Sequence, residues 1–302
     1  MGIVVRIEAY VPENINPARA FRAAFDRVGD LARKLSSYRD DSEVREVERK
    51  AWRSHVPVSE DLAAVLGRAL ELARQSEGAF DPTLGRVTRL VRAQGRGQTR
   101  PEPAALQDAW KLKGWQQVEL DQASRTVFLG LRGLQIDLGG AAKGFIADEA
   151  LKSLRQAGIS RALVSVAGDI AAGAPPPGTD GWSVAIDQTG ERGEIEVQLQ
   201  LRHQAVSTSG GRERYFLAGD QKCSHVLAGD DARCVDVSTA ASVVASSGLE
   251  ADGLATALVA LGRGRSAALL SRYPDVRVYW SSEGPSTSRL SHQRIPSTDS
   301  QR

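Results

Sequence analysis

Residues 137 to 148 read DLGGAAKGFIAD, and no other stretch constrains the fold as tightly. An acidic residue ends an apolar run, two glycines follow, and then comes a run of helix formers, a pattern that predicts a strand turning sharply into a helix. Gly139 and Gly140 let backbone approach a partner with no Cβ in between. The helix start is expected to present unpaired N–H groups and a partial positive end, which suits a phosphate or pyrophosphate. The dipole supplies only about 0.3–1 kcal/mol, so Lys143 would add a full charge or an oriented donor. The other reading is close strand–helix packing beside a solvated lysine. The spacing is neither a Walker A loop nor a GxGxxG fingerprint, and both readings stay open on spacing alone.

The rest of the chain mixes helices and strands. IVVRIEAY alternates like a strand, and Asn16-Pro17 opens a helix whose apolar face is predicted to carry Phe21, Phe25, Val28, Leu31 and Leu35. A second helix begins at Ser59, spaces Leu62, Val65, Leu66, Ala69 and Leu72 along one face, and stops at Gly78. The loop GAFDPTLG follows, then a polar stretch at 94–103, a short helix near Trp110 and a hairpin through Val118, Leu120, Val127 and Leu129. LQID reads as the strand entering the glycine turn. RALVSVAGDI, WSVAID, IEVQLQL, STAASVVAS and VRVYW read as later strands, with EADGLATALVALG and a shorter segment near Tyr273 as helices. From Ser281 the chain turns to Ser, Thr, Arg and Gln, the composition of a disordered tail.

Charge excludes one class of partner. The 302 residues carry 39 Lys and Arg against 37 Asp and Glu, with no basic run interleaved with aromatics, so no nucleic acid is expected. No apolar stretch approaches the roughly 20 residues of a membrane span, and MGIVVRIEAY turns polar too soon for a signal peptide. The chain is therefore expected to be soluble, with Met1 standing almost directly on a strand.

Three further constellations carry chemistry. Asp252 and Thr256 lie four apart, so two oxygens share a helix face, separate from Leu254, Leu258 and Leu261. Magnesium takes one or two such protein oxygens and completes its shell with phosphate and water. A helix-start aspartate with a threonine bonded back to its own helix is the plainer alternative. His225 is the best placed of four histidines for a general base or orienting group. Cys223 and Cys234 flank it at spacing too irregular for a zinc site, and a disulfide there requires an oxidising compartment. Asp81, before Pro82, is expected either to bond a ligand or to cap its turn.

The blocks SYRDDSEV (37–44), EGAFDPTLGRV (77–87), DLGGAAKGFIAD, LVSVAGDI, STSGGRERYF (207–216), SHVL (224–227) and LEADGLATALVALG (249–262) resemble, in order and spacing, the FAD:protein FMN transferases of the ApbE family. The resemblance runs to about Trp280. It implies an α+β fold of two interlocked α/β lobes, T-fold-like, with the nucleotide site in the cleft between them, and one flavin transferase domain over residues 1–280 with a tail at 281–302. It implies that Asp137, Lys143, Ala79, Phe80, Asp81, Tyr38, Leu227 and Met1 contact FAD. Magnesium is implied at the Asp252 carboxylate, the Thr256 hydroxyl and the Gly140 carbonyl, with His225 assisting proton removal.

The implied reaction moves FMN from FAD to a threonine or serine hydroxyl of a carrier flavoprotein and releases AMP. An FAD pyrophosphatase and a catalytically impaired FAD-binding accessory protein are the competing readings. Family targets are commonly membrane redox complexes, which implies a periplasmic or inner-membrane-associated location. The chain departs from the family pattern at HVLAGDD, where Ala228 and Gly229 replace an Asp-Pro or Asn-Pro turn. It departs also at Ser165 to Asp169, where the family has Asn-Ala-Gly-Gly-Asp, and at Glu48, where it has asparagine.

Overall fold

The computed structural model describes residues 4–93, 102–187, 196–210, 215–218, 221–230 and 235–281. Met1, Cys234 and the tail from residue 282 lie outside them, as does most of the polar stretch from residue 94. In chain order, β1 (Val5–Tyr10) leads into α1 (Pro17–Lys34), α2 (Glu43–Lys50), β2 (Val56–Pro57), α3 (Glu60–Gln75), α4 (Gly85–Ala93) and α5 (Pro103–Lys111). The hairpin β3 (Val118–Asp121) and β4 (Thr126–Leu129) follows, then α6 (Ala142–Gln156), β5 (Arg161–Val166), β6 (Asp169–Ala172), β7 (Trp182–Asp187) and β8 (Glu196–Leu201). The chain continues through β9 (Gln204–Gly210), β10 (Tyr215–Ala218), β11 (Gln221–Ser224), β12 (Ala240–Ala245), α7 (Gly248–Leu261), α8 (Ala267–Leu270) and β13 (Arg277–Ser281).

The larger lobe is an antiparallel sheet in the order β1-β5-β6-β9-β12-β13. Its inner strands β5, β6 and β12 are largely buried on both faces because both are covered, whereas the edge strand β1 alternates. Ala162, Val164, Ala171, Ala205 and Val243 join the core under α6 and α7. Their neighbours Leu163, Ala172, Val206, Val244 and Tyr279 form a second core against Trp182, Val184, Ile186, Leu199 and Leu201 of the β7–β8 hairpin. The smaller lobe sets α2 to α5 around the sheet β2-β4-β3, whose register pairs Val118 with Leu129 and Leu120 with Val127 as the alternation predicts. The lobes interlock because α3 packs on α7.

Three local expectations are corrected. On α1 the buried stripe is Ala20, Ala24, Val28 and Leu31, while Phe25 is 45% exposed. The two alanines let α6 approach closely, which a phenylalanine would prevent. RALVSVAGDI is a hairpin rather than one strand: Ala167 and Gly168 both take positive φ (51° and 96°), folding Val166 back opposite Asp169, the conformation of a tight two-residue turn. Among the described residues LQID forms no ladder beyond one bridge, Leu84 to Gln135. Its backbone is held by a carboxylate and a loop, with Ile136 N–H donating to Glu48 Oε1 at 2.9 Å and Asp137 N–H to the Pro82 carbonyl at 2.8 Å.

Candidate active site

The site is built on a reciprocal clasp between α6 and α7. Asp252, one turn into α7, accepts the N–H groups of Lys143 and Gly144 at 3.1 Å each through Oδ2, capping α6. Asp148, one turn after Gly144 on α6, accepts the N–H groups of Gly248 (2.8 Å) and Leu249 (3.0 Å), capping α7. The helices touch backbone to backbone: a Cβ on Gly144 would lie 1.9 Å from the Gly248 oxygen, and one on Gly248 2.3 Å from the Gly144 oxygen. The sequence repeats the device, GFIAD at 144–148 and GLEAD at 248–252.

The clasp corrects one expectation. The first N–H groups of α6 are not unpaired: those of Ala141 and Ala142 donate to the Leu138 carbonyl (3.0 and 2.9 Å), and Asp252 takes the next two. The helix start therefore offers an anion its partial charge rather than open donors. Gly139 N–H is likewise held, by Asp137 Oδ1 at 2.9 Å.

Two carboxylates, each 2% exposed, share one ammonium here. Lys143 Nζ contacts Asp169 Oδ2 and lies 3.4 Å from Asp252 Oδ1, and the Ser207 hydroxyl donates to Asp169 Oδ1. Desolvation, followed by the repulsion of Asp252, raises the Asp169 pKa well above the carboxylate range, against the pull of Lys143 and Ser207. Burial works against the Lys143 charge, but Asp252 and Asp169 outweigh it and hold the ammonium protonated above its ordinary range. Desolvation also lifts Asp148, to about 6, despite its two backbone bonds.

Of these groups Lys143 and Asp252 wall a cavity of about 480 Å³ between the lobes. Phe80, Asp81, Asp137, Gly140, Lys143, His225, Leu227, Asp252 and Thr256 all line it. Gly140 lies so near Thr256 that a Cβ there would come 2.8 Å from Thr256 Cγ2 and 3.1 Å from Phe80 Cε2. Among the described residues no cluster of three or more His, Cys, Asp or Glu could hold an ion. Magnesium does not need one, and a carboxylate, a hydroxyl and a close backbone beside surplus buried negative charge make a hard-oxygen set that fits it.

Other candidate residues separate into wall and support. Asp81 accepts the N–H (2.8 Å) and hydroxyl (2.6 Å) of Thr83, capping its turn, and desolvation raises its pKa. Ala79 is buried behind the wall, its carbonyl accepting Gly229 N–H at 2.9 Å. Tyr38 is 48% exposed and outside the cavity lining, in a loop whose Ser37 carbonyl accepts from Arg89 at 2.7 Å. Glu48, where the family pattern has asparagine, is the buried anchor for Arg45, Arg89 and Ile136 N–H.

The HVLAGD segment is pinned at several points. Val226 N–H donates to Ser224 Oγ at 3.0 Å, Gly229 N–H to Ala79, Lys113 Nζ to the Gly229 carbonyl at 2.5 Å, and Arg265 to Asp230. The altered loop is thus docked on the GAFD wall, with half-buried His225 at the cavity. Cys223, just before it, is buried and disulfide-bonded.

Asp169, Asp148 and Ser207 lie in the family-like blocks without receiving a role from them, and Lys113 lies in none of them. The repeated G-x-x-A-D spacing is the signal that would have marked Asp148 as the partner of Asp252, and Ala-Gly before Asp169 the one that would have marked a turn.

The same architecture is found in known proteins. The ApbE family model matches residues 1–280. An FAD:protein FMN transferase of Treponema pallidum is 33% identical over 297 residues, spanning 91% of this chain and 81% of the relative. One of Salmonella typhimurium is 29% identical, spanning 79% and 70%. The flavin transferase ApbE of Vibrio cholerae superposes with a TM-score of 0.84 at 23% identity, covering 97% of this chain and 94% of that one. The Pseudomonas stutzeri flavinyl transferase ApbE gives 0.79 at 25%, covering 94% and 92%. With the family match running from β1 to β13 across both lobes and the cleft they enclose, this chain belongs to the ApbE family.

Proposed function

We propose that the chain is an FAD:protein FMN transferase that moves FMN from FAD to a threonine or serine hydroxyl of a carrier protein in a magnesium-dependent reaction. The observation that carries this reading is the convergence of Gly140, Lys143, Asp252, Thr256 and His225 on one cavity, in a chain whose relatives bear that activity in their names. The acceptor oxygen bonds to the FMN-side phosphorus, the bond from that phosphorus to the bridging oxygen breaks, and AMP leaves with the electron pair. The hydroxyl proton passes to a base, for which His225 is the candidate.

Asp252, Thr256 and the Gly140 carbonyl are the proposed magnesium ligands, and the ion when bound supplies charge that offsets the diphosphate. Lys143 keeps Asp169 and Asp252 from carrying two unbalanced charges at that wall. The apolar side of the cavity, with Phe80, Ile186, Val206 and Leu227, suits a flavin ring. The disulfide at Cys223 favours an oxidising location such as the periplasm.

Mass spectrometry after incubation with FAD, MgCl2 and a flavoprotein carrier domain tests the proposal. The carrier should gain one FMN as AMP appears. FMN and AMP without carrier modification would mean hydrolysis instead, and intact FAD would mean binding alone.

A further inference from the structure

The clasp has two halves, of which only one faces the cavity. Asp252 lines it, whereas Asp148 points to the first turn of α7, where its two oxygens take the N–H groups of Gly248 and Leu249. We propose that Asp148 is a positioning residue for the cation site: by fixing the first turn of α7 against α6, it sets where Asp252 and Thr256 stand relative to Gly140 and Lys143.

Geometry carries this inference in three steps. The backbones of Gly144 and Gly248 are in contact, so a shift of α7 at Gly248 is transmitted directly to the first turn of α6. Asp252 is one turn along from Gly248, and its Oδ2 holds the N–H groups of Lys143 and Gly144, so the same shift strains the second half of the clasp. Thr256 is a further turn along and abuts Gly140, leaving the proposed donors no independent adjustment. Ser247 also caps α7, through Glu250 N–H at 3.3 Å. The helix itself therefore survives loss of Asp148, and the change falls on its placement.

The inference rests on the reading of Asp252 and Thr256 as cation ligands, and the experiment separates the two. Mn2+ alone, without FAD, is titrated calorimetrically into the full chain and into Asp148→Asn and Asp148→Ser, each verified as folded by circular dichroism. Amide exchange at Lys143, Gly144, Gly248 and Leu249 is followed in parallel. Asn leaves one acceptor and turns an NH2 toward the other N–H, and Ser is too short to reach both. Mn2+ affinity is expected to fall about 10-fold in both variants, the magnitude typical of groups that orient ligands, while exchange at Lys143 and Gly144 accelerates although neither amide touches Asp148. The converse holds for Asp252→Asn, which should release Gly248 and Leu249.

Mn2+ binding by the wild type with unchanged affinity in both folded variants would overturn the role of Asp148. No Mn2+ uptake by the wild type would overturn the cation reading, and exchange would then decide the clasp. Faster exchange confined to Gly248 and Leu249 would reduce Asp148 to a local cap and sink the proposal.

Discussion

Helix α6 carries two ion clusters built from similar parts. At its middle, Glu149 meets Arg27 of α1, whose guanidinium also grips Asp61 of α3 with 2.9 and 2.5 Å bonds. At its start, Lys143 meets Asp169 and Asp252. In the first cluster Lys34 adds a second cation to Asp61, Lys152 a second to Glu149, and Asp30 of α1 pairs with Arg27 and Lys34 as a third carboxylate. Hydrogen bonding to Arg27 is the main reason the Asp61 pKa falls below its usual value. In the second cluster one ammonium serves two carboxylates that are almost wholly buried, and the Asp169 pKa rises. Balanced charge pins three helices together, whereas the second cluster leaves one buried carboxylate charge unmatched beside the cavity.

Asp252→Asn attacks that contrast most directly. It removes the one surplus charge and the proposed carboxylate ligand, so magnesium-dependent FMN transfer is expected to fall on the order of 1000-fold, the several kcal/mol that a bound metal contributes. The fold should persist, because the change leaves the apolar core of α7 untouched. Retained activity, measured by carrier mass, would make both clusters structural.

Asp148 sharpens the same contrast through pH. Its pKa rises from 3.8 to about 6 on folding, so between those values the folded chain holds more protons than the unfolded one. Stability from this group is fully present below about pH 4 and lost as pH rises through 6, about 3 kcal/mol at 1.36 kcal/mol per unit. Urea unfolding of wild type and Asp148→Asn at pH 4.5 and 7 should show the variant gaining relative stability at the higher pH. A constant difference would mean that the carboxyl is not desolvated.

Arg27→Met tests the balanced cluster. It leaves Asp61 with Lys34 alone and Glu149 with Lys152 alone in partly buried surroundings, a loss between the 3–5 kcal/mol of a broken buried pair and the 1 kcal/mol or less of an exposed one. A loss of about 2 kcal/mol in stability is expected, with FMN transfer per folded molecule unchanged. Lowered specific activity would show that the two clusters are coupled along α6.

What was legible in the sequence follows from the range of each signal. The apolar periodicities of α3 and α7 and the β3–β4 alternation are local, and they led directly to buried faces. The convergence of Gly140, Asp252 and Thr256 was legible only through resemblance, since no periodicity links residues more than a hundred positions apart. The fate of the α6 N–H groups was not legible at all: a helix start shows its donors in sequence, but the carboxylate that occupies them comes from another helix. Phe25 failed for a related reason, because the closeness of α6, rather than hydrophobicity, decided which face of α1 was buried.

The smallest expected effect concerns the departure at HVLAGD. Lys113 donates to the Gly229 carbonyl and rests 5.4 Å from the centre of the Trp110 ring, so Lys113→Met loses a charge-assisted bond but keeps much of the packing. One such bond contributes about 1.5 kcal/mol net, so a roughly tenfold fall in kcat is expected. FAD affinity should hold, because Phe80 and Asp81 keep their own bonds to Ser76 and Thr83. Lys113→Arg should restore most of the rate by donating to the same carbonyl. If FAD affinity fell while kcat held, the loop would serve the nucleotide wall rather than His225, and the rebuilt turn would be a binding feature rather than a catalytic one.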